Sequence, residues 1–183
     1  LSGVRFSAAR RISLCVLAAV AGLAVLSACS TPIPDVTFFS SGHTVTAAPL
    51  QYCDATVKHC APHAAPPVFL TVAPGKPVQV SVPVEVASTP WQVAARFRDA
   101  KGQEYVSCST VFGDGTRYAY TVAPPAGYQL VLIEVYSISG NISMTQTGQV
   151  IFQNSGVWSL VASPTAGQQL ELPKPGDNLC LSV

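Results

Sequence analysis

Five valines at alternate positions, Val78, Val80, Val82, Val84 and Val86, most constrain what this 183-residue chain can fold into. They alternate with Gln79, Ser81, Pro83, Glu85 and Ala87. Successive side chains of a strand point to opposite faces, so the run predicts a half-buried strand with one β-branched face. Pro83 lacks a backbone donor and confines that strand to a sheet edge or a bulge. Trp91, Val93, Ala95 and Phe97 repeat the pattern against Gln92, Arg96 and Arg98. Further strands are expected at 36–40, 43–47, 68–72, 104–109, 116–122, 128–138, 149–153 and 157–162. Turn residues separate them: Pro74-Gly75, Lys101-Gly102, Gly113-Asp114-Gly115, Pro124 to Gly127, Gly140-Asn141 and Asn154 to Gly156. No 12-residue window after residue 29 carries a helical stripe. Short strands at this spacing predict an all-β sandwich or barrel.

The first 28 residues belong to a different kind of sequence. Arg5, Arg10 and Arg11 precede 15 uncharged residues, Ile12 to Leu26. That length suits the apolar region of an export signal and is short for a membrane span. The run closes on Leu26-Ser27-Ala28-Cys29, which resembles a bacterial lipobox. The motif implies a signal peptide over 1–28 and a diacylglyceryl group on the Cys29 thiol. It also implies a lipidated tether over 29–35 and a domain with a C-terminal tail over 36–183. The expected location is the extracytoplasmic face of the cell membrane, with the membrane itself a partner through the anchor. Residues 30–35 span roughly 20 Å at full stretch, so the domain sits close to the bilayer.

After the signal remain 155 residues, enough for one domain, with seven basic and nine acidic side chains and a net charge of −2. No basic patch is present, which argues against nucleic acid as a partner. Cys53, Cys60, Cys108 and Cys180 are even in number, and an oxidising compartment makes them two disulfides. Of three connectivities, Cys53–Cys60 with Cys108–Cys180 is favoured. By loop-closure entropy the first contributes about 2.5 kcal/mol and the second about 4.4 kcal/mol.

The tightest polar cluster is Cys53, Asp54, Lys58, His59, Cys60 and His63. Oxidised, its cysteines staple a surface loop. Reduced, they join His59 and His63 in a ligand set suited to zinc or copper. Outside the cytoplasm oxidation is the default, so no metal or other cofactor is expected; His59 and His63 alone form the weaker metal alternative. No Gly-x-Ser-x-Gly elbow and no His-Glu-x-x-His pair appears, and no catalytic residue is assigned. Glu134 is the one carboxylate in a strongly apolar strand. It is expected near the strand end, meeting water or an arginine such as Arg96. The sharper alternative is a buried acid in a ligand cleft.

The segment Pro124-Pro125-Ala126-Gly127-Tyr128-Gln129-Leu130-Val131-Leu132 resembles the entry to strand F of immunoglobulin-like and fibronectin type III domains. There a corner tyrosine hydrogen-bonds back across the loop. The resemblance implies an immunoglobulin-like antiparallel β-sandwich, with Trp91 as the strand-C core aromatic. Leu130 stands where antibody domains carry cysteine, so no inter-sheet disulfide is implied. Over nearly its whole length the chain resembles an actinobacterial lipoprotein family defined only as a domain of unknown function. The lipobox, Asp35-Val36-Thr37-Phe38-Phe39, Tyr52-Cys53-Asp54, Lys58-His59-Cys60 and Gly127-Tyr128 carry that resemblance. It implies an envelope location and no activity. The functional expectation is a non-catalytic interaction or assembly factor with an envelope protein or cell-wall partner. The alternative is a binding module for a small ligand or metal, through the 53–63 loop or an inter-sheet cleft.

Overall fold

The computed structural model describes residues 32–61, 65–113, 115–144, 150–163 and 179–180. The expected signal peptide, Cys29, His63, Asp114 and the tail segment 164–178 lie outside them. The described residues form ten strands and one short helix: β1 (Val36–Ser40), β2 (His43–Ala47), β3 (Gln51–Tyr52), β4 (Val68–Thr71), β5 (Val78–Ser81), α1 (Val84–Ala87), β6 (Trp91–Arg98), β7 (Glu104–Cys108), β8 (Ala119–Val122), β9 (Gln129–Met144) and β10 (Val150–Ser163). They build two packed sheets, a β-sandwich in which α1 is the one helix among the described residues. One sheet runs β2-β1-β5-β8, and the other β3-β10-β9-β6-β7 with β4 also on β10. Every pairing is antiparallel except β4 with β10.

The valine run does not continue as a single strand. β5 stops at Ser81, and Pro83 stands at the entrance of α1 with φ −74 and ψ 171. Proline's fixed φ and missing N–H suit the start of a helix as well as they disfavour a strand interior. Val78, Val80 and Val82 still point into the core, and the helical turn returns Val86 to it while exposing Val84. The period-2 reading therefore fails where the backbone changes period, and the expected edge or bulge is a break instead.

Two expected turns lie inside strands. Gly140-Asn141 belongs to β9 and Asn154 to Gly156 to β10, where the pairing register shifts twice between Phe152 and Gly156. A glycine within a strand often marks a bulge or a close approach rather than a reversal. At Gly156 the cause is visible: an added Cβ would lie 2.5 Å from the Trp158 ring. Ser41-Gly42 makes the two-residue reversal between β1 and β2, with φ positive at both positions as a type I′ hairpin requires.

The inter-sheet core holds Phe38, Val78, Val80, Trp91, Val93, Phe97, Ile133, Trp158 and Leu160 among others. Trp91 is fully buried on β6, and the indole of Trp158 donates to the Pro34 carbonyl at 2.9 Å. The opposite face of the larger sheet is buried as well. Ala94, Tyr136 and Val157 form one cluster there and Val131, Leu132 and Val161 another, with Leu179 packed on both.

Tyr128 departs from the expected corner geometry. Its ring packs edge-to-face on Tyr105 of β7, with centroids 5.4 Å apart. Among the described residues its phenol meets the Tyr105 side chain rather than the backbone of the preceding loop. Tyr105 is held above its ordinary pKa by desolvation first, then by Asp99 and Tyr128.

Candidate functional site

The structure joins Cys53 to Cys60 and Cys108 to Cys180. The first bond closes a loop that leaves β3 and folds around one carboxylate. Asp54 Oδ1 accepts from the Thr56 amide at 3.0 Å, the Thr56 hydroxyl at 2.9 Å and the Lys58 amide at 3.1 Å. Its Oδ2 lies 2.7 Å from His59 Nδ1. An ionised carboxylate only accepts, so Nδ1 carries the proton in this bond. The His59 bond, foremost, and those from Thr56 and Lys58 hold Asp54 well below the usual carboxylate range against some desolvation. Ser155 and Asn141 fasten the loop to the larger sheet: Cys53 N donates to the Ser155 carbonyl at 2.6 Å, and Asn141 Nδ2 to the Thr56 carbonyl.

The sulfurs of Cys53 and Cys60 are spent on each other and are not thiolate ligands. The His59 side chain is 87% exposed, and no three His, Cys, Asp or Glu side chains form a metal-holding group among the described residues. His43 is exposed on β2, away from this loop in sequence and strand order.

Beside the loop lies a cleft of about 540 Å³. Its walls are the 52–61 segment, α1 with the residues that follow it, and the β9–β10 ladder where the bulges fall. Thr89, Ser137 and Ser155 form a hydroxyl chain along one wall, with Oγ separations of 2.9 Å and 3.0 Å. The exposed carboxylate of Glu85 stands on α1. Neither α1 nor the hydroxyl chain was legible in the sequence. The only trace is a run of serines at alternate positions, Ser137 and Ser139, on the strand facing Ser155. A second, smaller cleft of about 280 Å³ opens between the two sheets at β7 and β8. Phe97, Tyr105, Tyr120 and Tyr128 line it.

Glu134 is not near a strand end as expected. It sits mid-strand in β9 at 3% exposure and accepts from the Tyr136 phenol. Arg96 and Arg98 approach Glu104, at 3.5 Å and 2.6 Å. In register Glu134 stands opposite Ala94 and Ser159, and Arg96, opposite Leu132, is its diagonal neighbour on the same face. Burial first, and the Glu134 charge second, push the Tyr136 phenol far above its ordinary pKa.

These features define a disulfide-stapled β-sandwich with a cleft at the stapled loop. The chain belongs to the DUF2771 family of proteins of unknown function, whose model matches residues 30–163. Comparison with curated proteins and with solved structures finds no match.

Proposed function

We propose that this protein is a lipid-anchored envelope protein that works without catalysis, as an interaction or assembly factor. One observation carries the reading. Among the described strands β7 is the last of the six-stranded sheet, and Tyr105 and Val106 on it are 46% and 47% exposed. An edge strand with exposed apolar side chains is a surface suited to another chain. Two closed disulfides support an oxidising compartment outside the cytoplasm, and the lipobox-like Cys29 supports the anchor. The partner is an envelope protein or cell-wall component engaged at that edge.

The strand order supports an immunoglobulin-like type. β1-β5-β8 faces β10-β9-β6-β7, and β4 switches sheets to run parallel with β10. The order matches A-B-E against G-F-C-C′ with a split first strand. β2 and β3 are additions to that scheme, and Tyr128 lacks its corner bond.

The edge reading is tested by capture from solubilised envelope with the wild-type domain and with Val106→Lys. A lysine on an exposed edge should abolish capture of a partner while leaving the fold intact. Equal capture by both proteins would remove the edge from the reading. The 540 Å³ cleft favours a second reading, a small-ligand binding module, because its volume falls within the range of about 300–1,000 Å³ typical of ligand pockets.

A further inference from the structure

Proton bookkeeping in the cleft beside the 53–60 loop restricts what it can bind. A hydroxyl has one proton to give. That of Thr89 goes to the Val86 carbonyl at 2.9 Å. The 2.9 Å contact between Thr89 and Ser137 is therefore donated by Ser137. With its proton spent, Ser137 accepts from Ser155 at 3.0 Å. Among the described residues the Ser155 proton has one other acceptor, the Ser137 carbonyl at 3.2 Å, so it too stays within the wall. The chain runs from Ser155 through Ser137 and Thr89 to a backbone carbonyl, and what it leaves for a ligand is lone pairs.

The loop wall carries Asp54 and His59, and because Nδ1 donates to Asp54, Nε2 is the ring nitrogen left for a ligand. Glu85 adds a carboxylate from α1. None of the described residues lining the cleft is a lysine or an arginine. The loop wall is held by the Cys53–Cys60 bond and by the bonds to Asp54, so little ordering is left for a ligand to cost. Tyr52 contributes an aromatic surface on the same side.

A net acidic cleft with a largely apolar lining and hydroxyl lone pairs along one wall selects a ligand that is positive in charge and can donate. We propose that it binds a small hydroxylated ammonium compound, an amino sugar or amino alcohol. The ammonium lies against Glu85, and the hydroxyls donate to the Ser155 lone pairs. This names the ligand class for the small-ligand reading of the same cleft and rests on it.

Titration of the isotope-labelled protein with glucosamine, N-acetylglucosamine, glucose and glucose 6-phosphate, followed by amide NMR, tests the proposal. Glucosamine should shift the amides of the 53–61 loop and of 137–140 in a saturable way. The neutral sugars should bind at least about tenfold more weakly, since hydrogen bonds to charged groups contribute more than neutral ones. The phosphate should not bind. Glu85→Gln, at an exposed position, should lower glucosamine affinity about tenfold with the fold unchanged. Equal binding of glucose and glucosamine, or full affinity in Glu85→Gln, would overturn the ammonium assignment while leaving a small-ligand cleft. No shift with any of the four would overturn both.

Discussion

At the scale of single residues, Gly156 and Tyr128 make opposite predictions. Gly156 lies against the buried Trp158 ring, and an alanine Cβ would meet its CH2 and CZ3 atoms at 2.5 Å and 2.7 Å. Neither atom can retreat, because Trp158 is at 0% exposure and tied through its indole to Pro34. Gly156→Ala should therefore destabilise the domain by about 1–3 kcal/mol, the cost of overpacking a filled core, measured by urea denaturation. An unchanged midpoint would show that the strand shifts freely at its bulge. Tyr128 resembles a corner tyrosine in sequence, and such a tyrosine loses a buried hydrogen bond on conversion to phenylalanine. Here its phenol meets the half-exposed Tyr105 instead. Tyr128→Phe should change stability by less than about 0.5 kcal/mol, as surface substitutions do. A loss above about 1 kcal/mol would reinstate the corner bond.

At the scale of elements, the Cys108–Cys180 bond does more than shorten the unfolded chain. It ties the Leu179–Cys180 turn from the exposed end of β7 onto the outer face of β9. The Leu179 amide donates to the Tyr136 phenol at 3.2 Å, and its side chain bridges both apolar clusters of that face. Beneath lie Glu134, Tyr136 and the unpaired hydroxyl of Ser159. Burial is the largest cause of the raised Tyr136 pKa, so loosening this strap should lower it. The sign follows from desolvation, which disfavours the phenolate and keeps the phenol protonated to higher pH. In a spectrophotometric titration to pH 11.5, Cys180→Ser should ionise one more tyrosine than the wild type. Cys60→Ser, which opens only the 53–60 loop, should not. Equal counts in all three proteins would mean that the strap does not seal the face.

At the scale of the whole molecule, the proposed anchor and the sandwich are separable. The core draws on residues from Val36 onward. Cys29→Ala should accordingly abolish labelling with a lipid precursor and partition into detergent, while circular dichroism of the soluble domain keeps its β spectrum. Continued lipid labelling of the variant would remove Cys29 from the anchoring role.

Much of the architecture was legible before the fold was known. Alternating side chains locate strands because a strand's period is local, and that reading placed β1, β2 and β6 with the bounds they have. Trp91 was legible as a core residue for the same reason. Local pattern failed at Pro83, Gly140 and Gly156, where a break or a bulge replaced the element that the residues favour in isolation. There the deciding contacts come from far along the chain. Val86 has a core to return to only because β6 and β9 form one wall of it. Gly156 is needed only because Trp158 lies over it. Glu134 has an apolar neighbourhood in sequence and meets Tyr136 two residues along its own strand, but its place opposite Ala94 and Ser159 follows from register, which no single strand specifies. The cleft is the extreme case. Asp54 and His59 are local to one loop, and their residue types were visible as a cluster. Thr89, Ser137 and Ser155 meet across sequence separations of 48 and 18 residues. The sequence determined the strand periods and the stapled loop; tertiary packing alone decided which hydroxyls share their protons, and so what that loop faces.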